Sequence, residues 1–238
     1  MNIIEMSNVH KIYGVGYGRA KIKARTPTVH ALRGVDLVIE PGEKVAIMGK
    51  SGSGKSTLLN ILGAIDRMNE GEYRFDGQPV RLDSPSKAAL FRRNNVGFVV
   101  QDFALIEDMT VFENIALPLR QRRLRGSTIR QKVEAIAEEL GIQDKTNKLP
   151  VELSGGEQQR VAIGRAIVHE PRLLLADEPT GALDEETERG ILEIFDRLHK
   201  SGQTIIIVTH DRNVAATCGR TIRLRDGRVD ATEEYEDG

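Results

Sequence analysis

The spacing of apolar positions changes several times along the chain, and each change predicts an element. Residues 2–13 alternate loosely between apolar and polar, which predicts a strand. Residues 29–39 predict another, ended by a turn at Pro41-Gly42-Glu43. Val45-Ala46-Ile47-Met48 is a short apolar run that stops abruptly in glycines and serines. Apolar residues resume as Leu58-Leu59-Asn60-Ile61-Leu62 at helical spacing. Strand, loop and helix are therefore expected, with the helix starting near Lys55. Glu72 to Phe75 followed by Asp76-Gly77 predicts a hairpin. A charged helix is expected over about 86–94, then a buried strand over 96–100 that runs into the polar Gln101.

From about 110 to 168 the period is helical. Thr110 to Arg123 forms one segment, which Pro118 should bend or end early. Ser127 to Leu140 forms a second, with Ser127 or Thr128 as its cap and Gly141 as its stop. Residues 155–169 form a third. An α/β pattern returns with a strand at 172–176 and a helix at about 186–200. Thr204-Ile205-Ile206-Ile207-Val208 is an unbroken β-branched run, as in strands buried on both faces. Residues 221–229 close on a hairpin at Asp226-Gly227. The glycine-rich, then basic, stretch 14–28 reads as a connector, and the acidic residues 233–237 as a frayed tail. The length allows one large domain or two small ones; a single α/β domain over residues 1–238 is expected, with a helical subdomain inserted at about 102–168.

Composition narrows the function classes. The 34 basic and 35 acidic residues nearly cancel, so a general nucleic-acid binder is not expected. Aromatics are 4% and tryptophan is absent, which argues against stacking platforms for single strands. Cys218 is the single cysteine, so no internal disulfide forms and a reducing, cytoplasmic setting is expected. No apolar run approaches the ~20 residues of a membrane-spanning helix. The first residues do not read as a signal peptide.

The loop Gly49-Lys50-Ser51-Gly52-Ser53-Gly54-Lys55-Ser56-Thr57 fits G-x-x-x-x-G-K-[ST]. Glycines let backbone N–H groups close around a phosphate chain, and the following helix points its positive end there. Lys55 would pair with the β and γ phosphates, and Ser56 would hold Mg²⁺. A Gly/Ser turn before an ordinary helix is the plainer reading, but the strand before and helix after are the context a P-loop needs. The strand at 172–176 runs into Asp177-Glu178, an acidic pair placed as in a Walker B strand. Asp177 is then the Mg²⁺-side carboxylate, and Glu178 a base for the attacking water. Gln101 could coordinate Mg²⁺ or that water and carry a signal into the helical insertion. His210, after another strand, could donate to the γ-phosphate, although a lone histidine there is more often structural.

Leu153-Ser154-Gly155-Gly156-Glu157-Gln158-Gln159-Arg160 reads LSGGEQQR. Its order after the P-loop and Gln101, and before Leu173 to Asp184 and Thr209-His210-Asp211, resembles that of the ATP-binding cassette (ABC) ATPases over nearly the whole chain. The resemblance implies a P-loop NTPase (RecA-like) core, an antiparallel β subdomain on the N-terminal side and the helical insertion. It implies ATP and Mg²⁺ as ligands, the latter at Ser56, Gln101 and Asp177. It also implies a head-to-tail homodimer in which Ser154, Gly155, Gly156, Glu157 and Asp184 reach the ATP held by the partner's P-loop. Glu178 would be the base and His210 a switch. Tyr13 would stack on adenine, with Tyr17 as a competitor. Gly164 stands where the family commonly has alanine, at a cost of roughly 1 kcal/mol in helix propensity. Several stretches resemble the macrolide-efflux, lipoprotein-releasing and bacitracin-type bacterial subgroup, which implies a separate membrane permease and a place on the inner face of the cell membrane. Export or extraction of an antibiotic, peptide or lipid-linked substrate competes with a non-transport membrane task such as cell-division signalling. A DNA-repair or ribosome-acting cassette fits poorly, as does a GTPase: Asn147-Lys148-Leu149-Pro150 lacks the aspartate of N-K-x-D.

Overall fold

A computed structural model of the chain describes residues 1–14 and 28–234. The connector, apart from its two end residues, and the last residues of the tail lie outside these. The chain forms two compact units, one of residues 1–88 with 208–238, the other of residues 89–207.

In the first unit, β1 (Ile4–Tyr13) pairs antiparallel with β2 (Val29–Ile39) on one side and β4 (Glu70–Phe75) on the other. With β5 (Gln78–Pro79) they make a four-stranded sheet of order β2-β1-β4-β5. Asp76 and Gly77 both have positive φ, 53° and 70°, as a two-residue hairpin turn of matching twist requires. The register of β1 on β2 shifts between Met6 and Val9, Val9 and His10, and Lys11 and Ile12. These irregularities break strict alternation, and Lys11 is turned inward, 1% exposed.

The same unit contains β3 (Lys44–Met48), with β9 (Arg220–Arg225) parallel beside it and β10 (Arg228–Glu234) antiparallel on β9. Glu233 and Glu234 of the expected tail thus extend a strand. Helix α1 (Lys55–Leu62) starts at Lys55, as its sequence predicts, and buries Leu58, Leu59, Ile61 and Leu62. A short helix that the apolar pattern does not announce, α7 (Arg212–Ala216), is capped by Asp211, whose carboxylate accepts from the N–H groups of Asn213 and Val214.

The second unit has β7 (Leu173–Asp177) between β6 (Val96–Val100) and β8 (Thr204–Val208). Strands β6 and β7 run parallel, with Val100 opposite Asp177. Residues 173–176 of β7 and all of β8 are buried, as their unbroken apolar runs require. Helix α2 (Pro85–Asn95) precedes β6. The helical insertion holds α3 (Val111–Gln121), α4 (Gly126–Glu139) and α5 (Gly155–Ile167), and α6 (Glu185–Lys200) follows β7. Helix α3 runs through Pro118 to Gln121, so the proline does not stop it at once. Helix α4 starts one residue earlier than expected, and neither Ser127 nor Thr128 caps it: Arg125 holds that position, with no side-chain bond. Its end does follow the sequence. Gly141, at φ +67°, donates to Glu138 O and Ile142 donates to Ala137 O, the paired bonds of a glycine-terminated helix. Gly164 has a packing reason: a Cβ there would stand 3.1–3.3 Å from side-chain carbons of Leu140, Ile136 and Ile115, where α3 and α4 close on α5.

Two buried polar residues give this unit testable stability. Asn114 is fully buried on α3. Its Oδ1 accepts from Ile106 N–H, and its Nδ2 donates to the carbonyls of Ile106, Met109 and Thr110. One side chain thereby fixes the loop before the helix. Asn114→Leu leaves that N–H and those carbonyls short of partners. It should destabilise the protein by roughly 2–4 kcal/mol in denaturant unfolding.

His169 is also buried, with Nε2 3.1 Å from Val96 O, while the buried Nδ1 has no partner. That is the neutral, Nε2-protonated form. Burial, and then the Arg122 guanidinium, hold its pKa below the usual histidine value, against a smaller pull from Glu170. A depressed folded-state value means that the contribution is complete above the unfolded value of about 6.5 and fades as pH falls through the folded value. Denaturant titrations at pH 8 and pH 5 should therefore show acid destabilisation that His169→Gln makes shallower.

Candidate nucleotide site

Strand β3 delivers the chain into the 49–54 loop, and packing dictates its glycines. A Cβ at Gly49 would stand 2.3 Å from the Leu224 carbonyl oxygen and 2.5 Å from Ser53 Oγ. At Gly54, φ is +105° and a Cβ would stand 2.6 Å from Ala31 O. The loop is thus pressed against β2 and β9. It is braced by Ser53 N–H donating to Lys50 O and by Gly227 N–H donating to Ser53 O. Among the described residues nothing lies within 4 Å of the Cβ position of Gly52, so this part of the loop is not packed against them.

Lys55 folds back over the loop, its Nζ donating to Gly49 O at 2.7 Å and Lys50 O at 3.2 Å. The first turn of α1 carries no acidic residue, so the positive end of the helix is uncompensated. Ser51, Gly52, Lys55, Ser56 and Thr57 line a cleft of about 770 Å³ with Tyr13 in its wall. Its size is that of a small-molecule site. The buried Ser53 Oγ has no partner. A lysine held by two carbonyls, a helix start with no acidic residue and a hydroxyl with no partner among the described residues are what a phosphate chain would satisfy, so these residues fit one.

Tyr13 is 39% exposed. Its hydroxyl donates to Asp66 Oδ2 at 3.0 Å and lies 3.4 Å from Thr57 Oγ1. Lys11 Nζ lies over the ring, 4.7 Å from its centroid, and donates to Asp66 Oδ1 and Arg67 O. Burial alone would raise the Asp66 pKa. The bonds from Lys11, the Arg67 N–H and Tyr13 outweigh it and hold the carboxyl below its ordinary value. Burial, with the Asp66 carboxylate adding to it, pushes the Tyr13 phenol up. Sequence reasoning missed Lys11 and Asp66, because the register shifts of β1 hide an inward lysine. Tyr17 lies outside the described residues. His210 is exposed one residue beyond Thr209, whose N–H donates to Ile47 O on the strand that feeds the P-loop.

The second unit gathers the other sequence-predicted residues. The β6–β7 ladder ends at the pairing of Val100 with Asp177, one residue before Gln101 and Glu178, and Gln101 Nε2 lies 3.4 Å from a Cβ built at Gly181. Asp177 and Glu178 are half-buried. Glu178 has φ +46°, a left-handed conformation unusual for a non-glycine residue, and its carbonyl accepts from Gly181 N–H. Asp184 caps α6: its carboxylate accepts from Thr187 N–H and Oγ1–H, and these bonds hold its pKa below the ordinary value.

Ser154 caps α5. Its Oγ accepts from Glu157 N–H, while the Glu157 carboxylate turns back to the Ser154 N–H. Glu157 is thus tied into the cap, with Lys145 beside it. Ser154 and Gly155 are exposed, and Gly156 is buried against Thr187, where a Cβ would stand 2.4 Å from Cγ2. Gln159, fully buried, donates to Pro179 O. The start of α5 is therefore packed on the segment that carries Glu178 and Asp184. Among the described residues no three His, Cys, Asp or Glu side chains gather as a metal site. Ser56, Gln101 and Asp177 carry a hydroxyl, an amide and a carboxylate, oxygen donors of the kind that suits Mg²⁺.

The comparisons with known proteins agree with this geometry. The family model described as ABC transporter matches residues 32–181. The macrolide export ATP-binding/permease protein MacB of Neisseria gonorrhoeae is 41% identical over 229 residues, 96% of this chain and 34% of that protein. MacB of Chlorobium phaeobacteroides is 44% identical over 231 residues, 97% of this chain and 34% of that protein. The chain spans about a third of the length of these curated relatives. Among solved structures, the dimeric structure of MJ0796, a bacterial ABC transporter cassette, has a TM-score of 0.86 at 39% identity, covering 99% of this chain and 100% of that one. The same cassette in a dimeric post-hydrolysis state bound to ADP and Pi gives 0.86 at 38%. The fold is that of an ABC cassette, mixed α/β with an antiparallel sheet, and the chain belongs to the ABC transporter family.

Proposed function

We propose that the chain is the ATP-binding and hydrolysing part of a bacterial ABC transporter. It would work as a head-to-tail dimer at the inner face of the membrane, coupling ATP-driven closure to a permease that exports or extracts its substrate. The observation that carries this is the braced P-loop, with Lys55 held at its mouth and the cleft open above Gly52. Both compact units would belong to one ABC ATPase domain.

Residues 49–57 would hold the phosphates of ATP, and Ser56, Gln101 and Asp177 would hold Mg²⁺. When bound, the metal supplies charge neutralisation at the phosphates. Glu178 takes a proton from the water, which attacks the γ-phosphorus in line. The bond from that phosphorus to the bridging oxygen breaks, and ADP leaves. Gln101 and His210 orient the water and the γ-phosphate. Ser154, Gly155 and Gly156 of the partner, at a helix N-terminus, close over the same phosphate, and Asp184 of the partner aligns the water. Most of the rate comes from positioning and charge.

The MacB relatives are combined ATP-binding/permease proteins, which supports a permease as the other component. No helix of the described residues is long and apolar enough to cross a membrane. We place the permease contact at a cavity of about 250 Å³ in the second unit, where Phe98, Leu117 and Pro118 lie among Arg92, Arg93 and Arg165. The test is co-purification from gently solubilised membranes with ATP and Mg²⁺ present. A polytopic permease should be recovered with the chain, and Leu117→Arg should lose it while still dimerising on ATP. Recovery of soluble proteins alone, with dimerisation intact, would overturn the permease assignment.

A further inference from the structure

We propose that the ion pair of buried Lys11 with half-buried Asp66 is a positioning device that holds the Tyr13 ring in register with the P-loop, so that it meets the base of the bound nucleotide. The inference rests on the reading of Tyr13 as the base-stacking residue. Burying an ammonium group is costly even when it is paired, and a methionine could fill an inward strand position without that cost. A buried lysine here therefore calls for a role, and its contacts supply one.

Lys11 Nζ donates to Asp66 Oδ1 at 2.6 Å and Arg67 O at 2.7 Å, and lies over one face of the Tyr13 ring. The other carboxylate oxygen, Oδ2, accepts from the Tyr13 hydroxyl. One carboxylate thus fixes both the cation over the ring and the tip of the ring. Asp66 is in turn tied to α1, since its N–H and that of Ile65 both donate to Asn60 O. The Tyr13 hydroxyl also meets Thr57 in the first turn of α1. The helix that begins at the phosphate loop therefore anchors the aromatic wall of the same cleft. One element thus sets both the phosphate contacts and the aromatic wall, and with the cation over one ring face Tyr13 is still 39% exposed in the wall of the cleft, where a base would meet it.

The experiment compares binding of ATP with binding of tripolyphosphate, both with Mg²⁺, to the whole chain by calorimetry. Tripolyphosphate reads the phosphate contacts alone, so the ratio of the two affinities reads the base contact. The variants are Tyr13→Ala, Tyr13→Phe and the charge-free pair Lys11→Met with Asp66→Asn, each checked by thermal unfolding. Tyr13→Ala should collapse the ratio. The paired variant should lower ATP affinity about five- to tenfold and leave tripolyphosphate unchanged.

A folded paired variant with an unchanged ratio, beside a collapsed ratio in Tyr13→Ala, overturns the positioning role and leaves Tyr13 as the stacking residue. Equal loss of both ligands also overturns it, because a merely structural pair would act that way. An unchanged ratio in Tyr13→Ala overturns the stacking reading and the inference with it. If the paired variant fails to fold, Tyr13→Phe decides, since it keeps the ring and cuts the tie to Asp66. A ratio reduced about threefold supports the device, and an unchanged ratio overturns it.

Discussion

Glu178→Gln is expected to lower ATP turnover by about 10²–10⁴-fold while leaving ATP binding intact. The amide is isosteric with the carboxylate but cannot take the proton of the attacking water. Its backbone demand is the same, because the left-handed φ at Glu178 strains glutamate and glutamine alike. The fold should therefore be unaffected, and the loss should fall on chemistry alone. Binding still closes the dimer, and without hydrolysis nothing opens it. With ATP and Mg²⁺ the variant should elute from gel filtration as a stable dimer, and after ATP removal as a monomer. Near-wild-type turnover would place the base elsewhere.

Lys55→Ala and Ser154→Arg should each abolish hydrolysis alone, and mixing the two proteins should restore part of it. Lys55 belongs to the loop that cradles the phosphates, whereas Ser154 lies at the exposed start of α5 in the other compact unit. In a head-to-tail dimer, a mixed pair rebuilds one complete site from the good loop of one chain and the good α5 start of the other. Equal mixing makes half the dimers mixed, each with one site, so recovery should approach about a quarter of wild-type turnover. Ser154→Arg also removes a helix cap worth about 1 kcal/mol, which a melting curve would register. No recovery above either variant alone would refute the shared site.

The residues legible in the sequence are those whose chemistry forces a local pattern. The P-loop shows itself because close approach excludes side chains at Gly49 and Gly54. Asp177 and Glu178 stand out because a charge pair ends an apolar run, and the β6–β7 ladder stops one residue before Gln101. Gly141 ends α4 as predicted, because φ +67° favours a residue without Cβ. What stayed hidden depends on partners far along the chain. Lys11 looks like any strand lysine until the register shifts of β1 turn it towards Asp66. Asn114 looks like one polar residue in an apolar helix, and its carbonyl partners in the 106–110 loop carry no signal of their own. Asp184 and Ser154 stood out as candidate site residues but not as helix caps, since each cap needs a neighbour's N–H three residues on. Helix α7 is too short for its period to emerge.

The brace on the P-loop has a consequence for the order in which the protein is made. Gly227 supplies the N–H that holds Ser53 O, and the Leu224 carbonyl lies against Gly49. Both belong to the β9–β10 hairpin, whereas the loop they hold is translated about 170 residues earlier. On the ribosome, residues 49–54 emerge long before their clamp exists. The phosphate cradle can reach its final shape only after the β9–β10 turn has left the exit tunnel. Nucleotide capture by a nascent chain should therefore wait until residues 224–227 have emerged, which a binding assay on stalled chains of graded length would show.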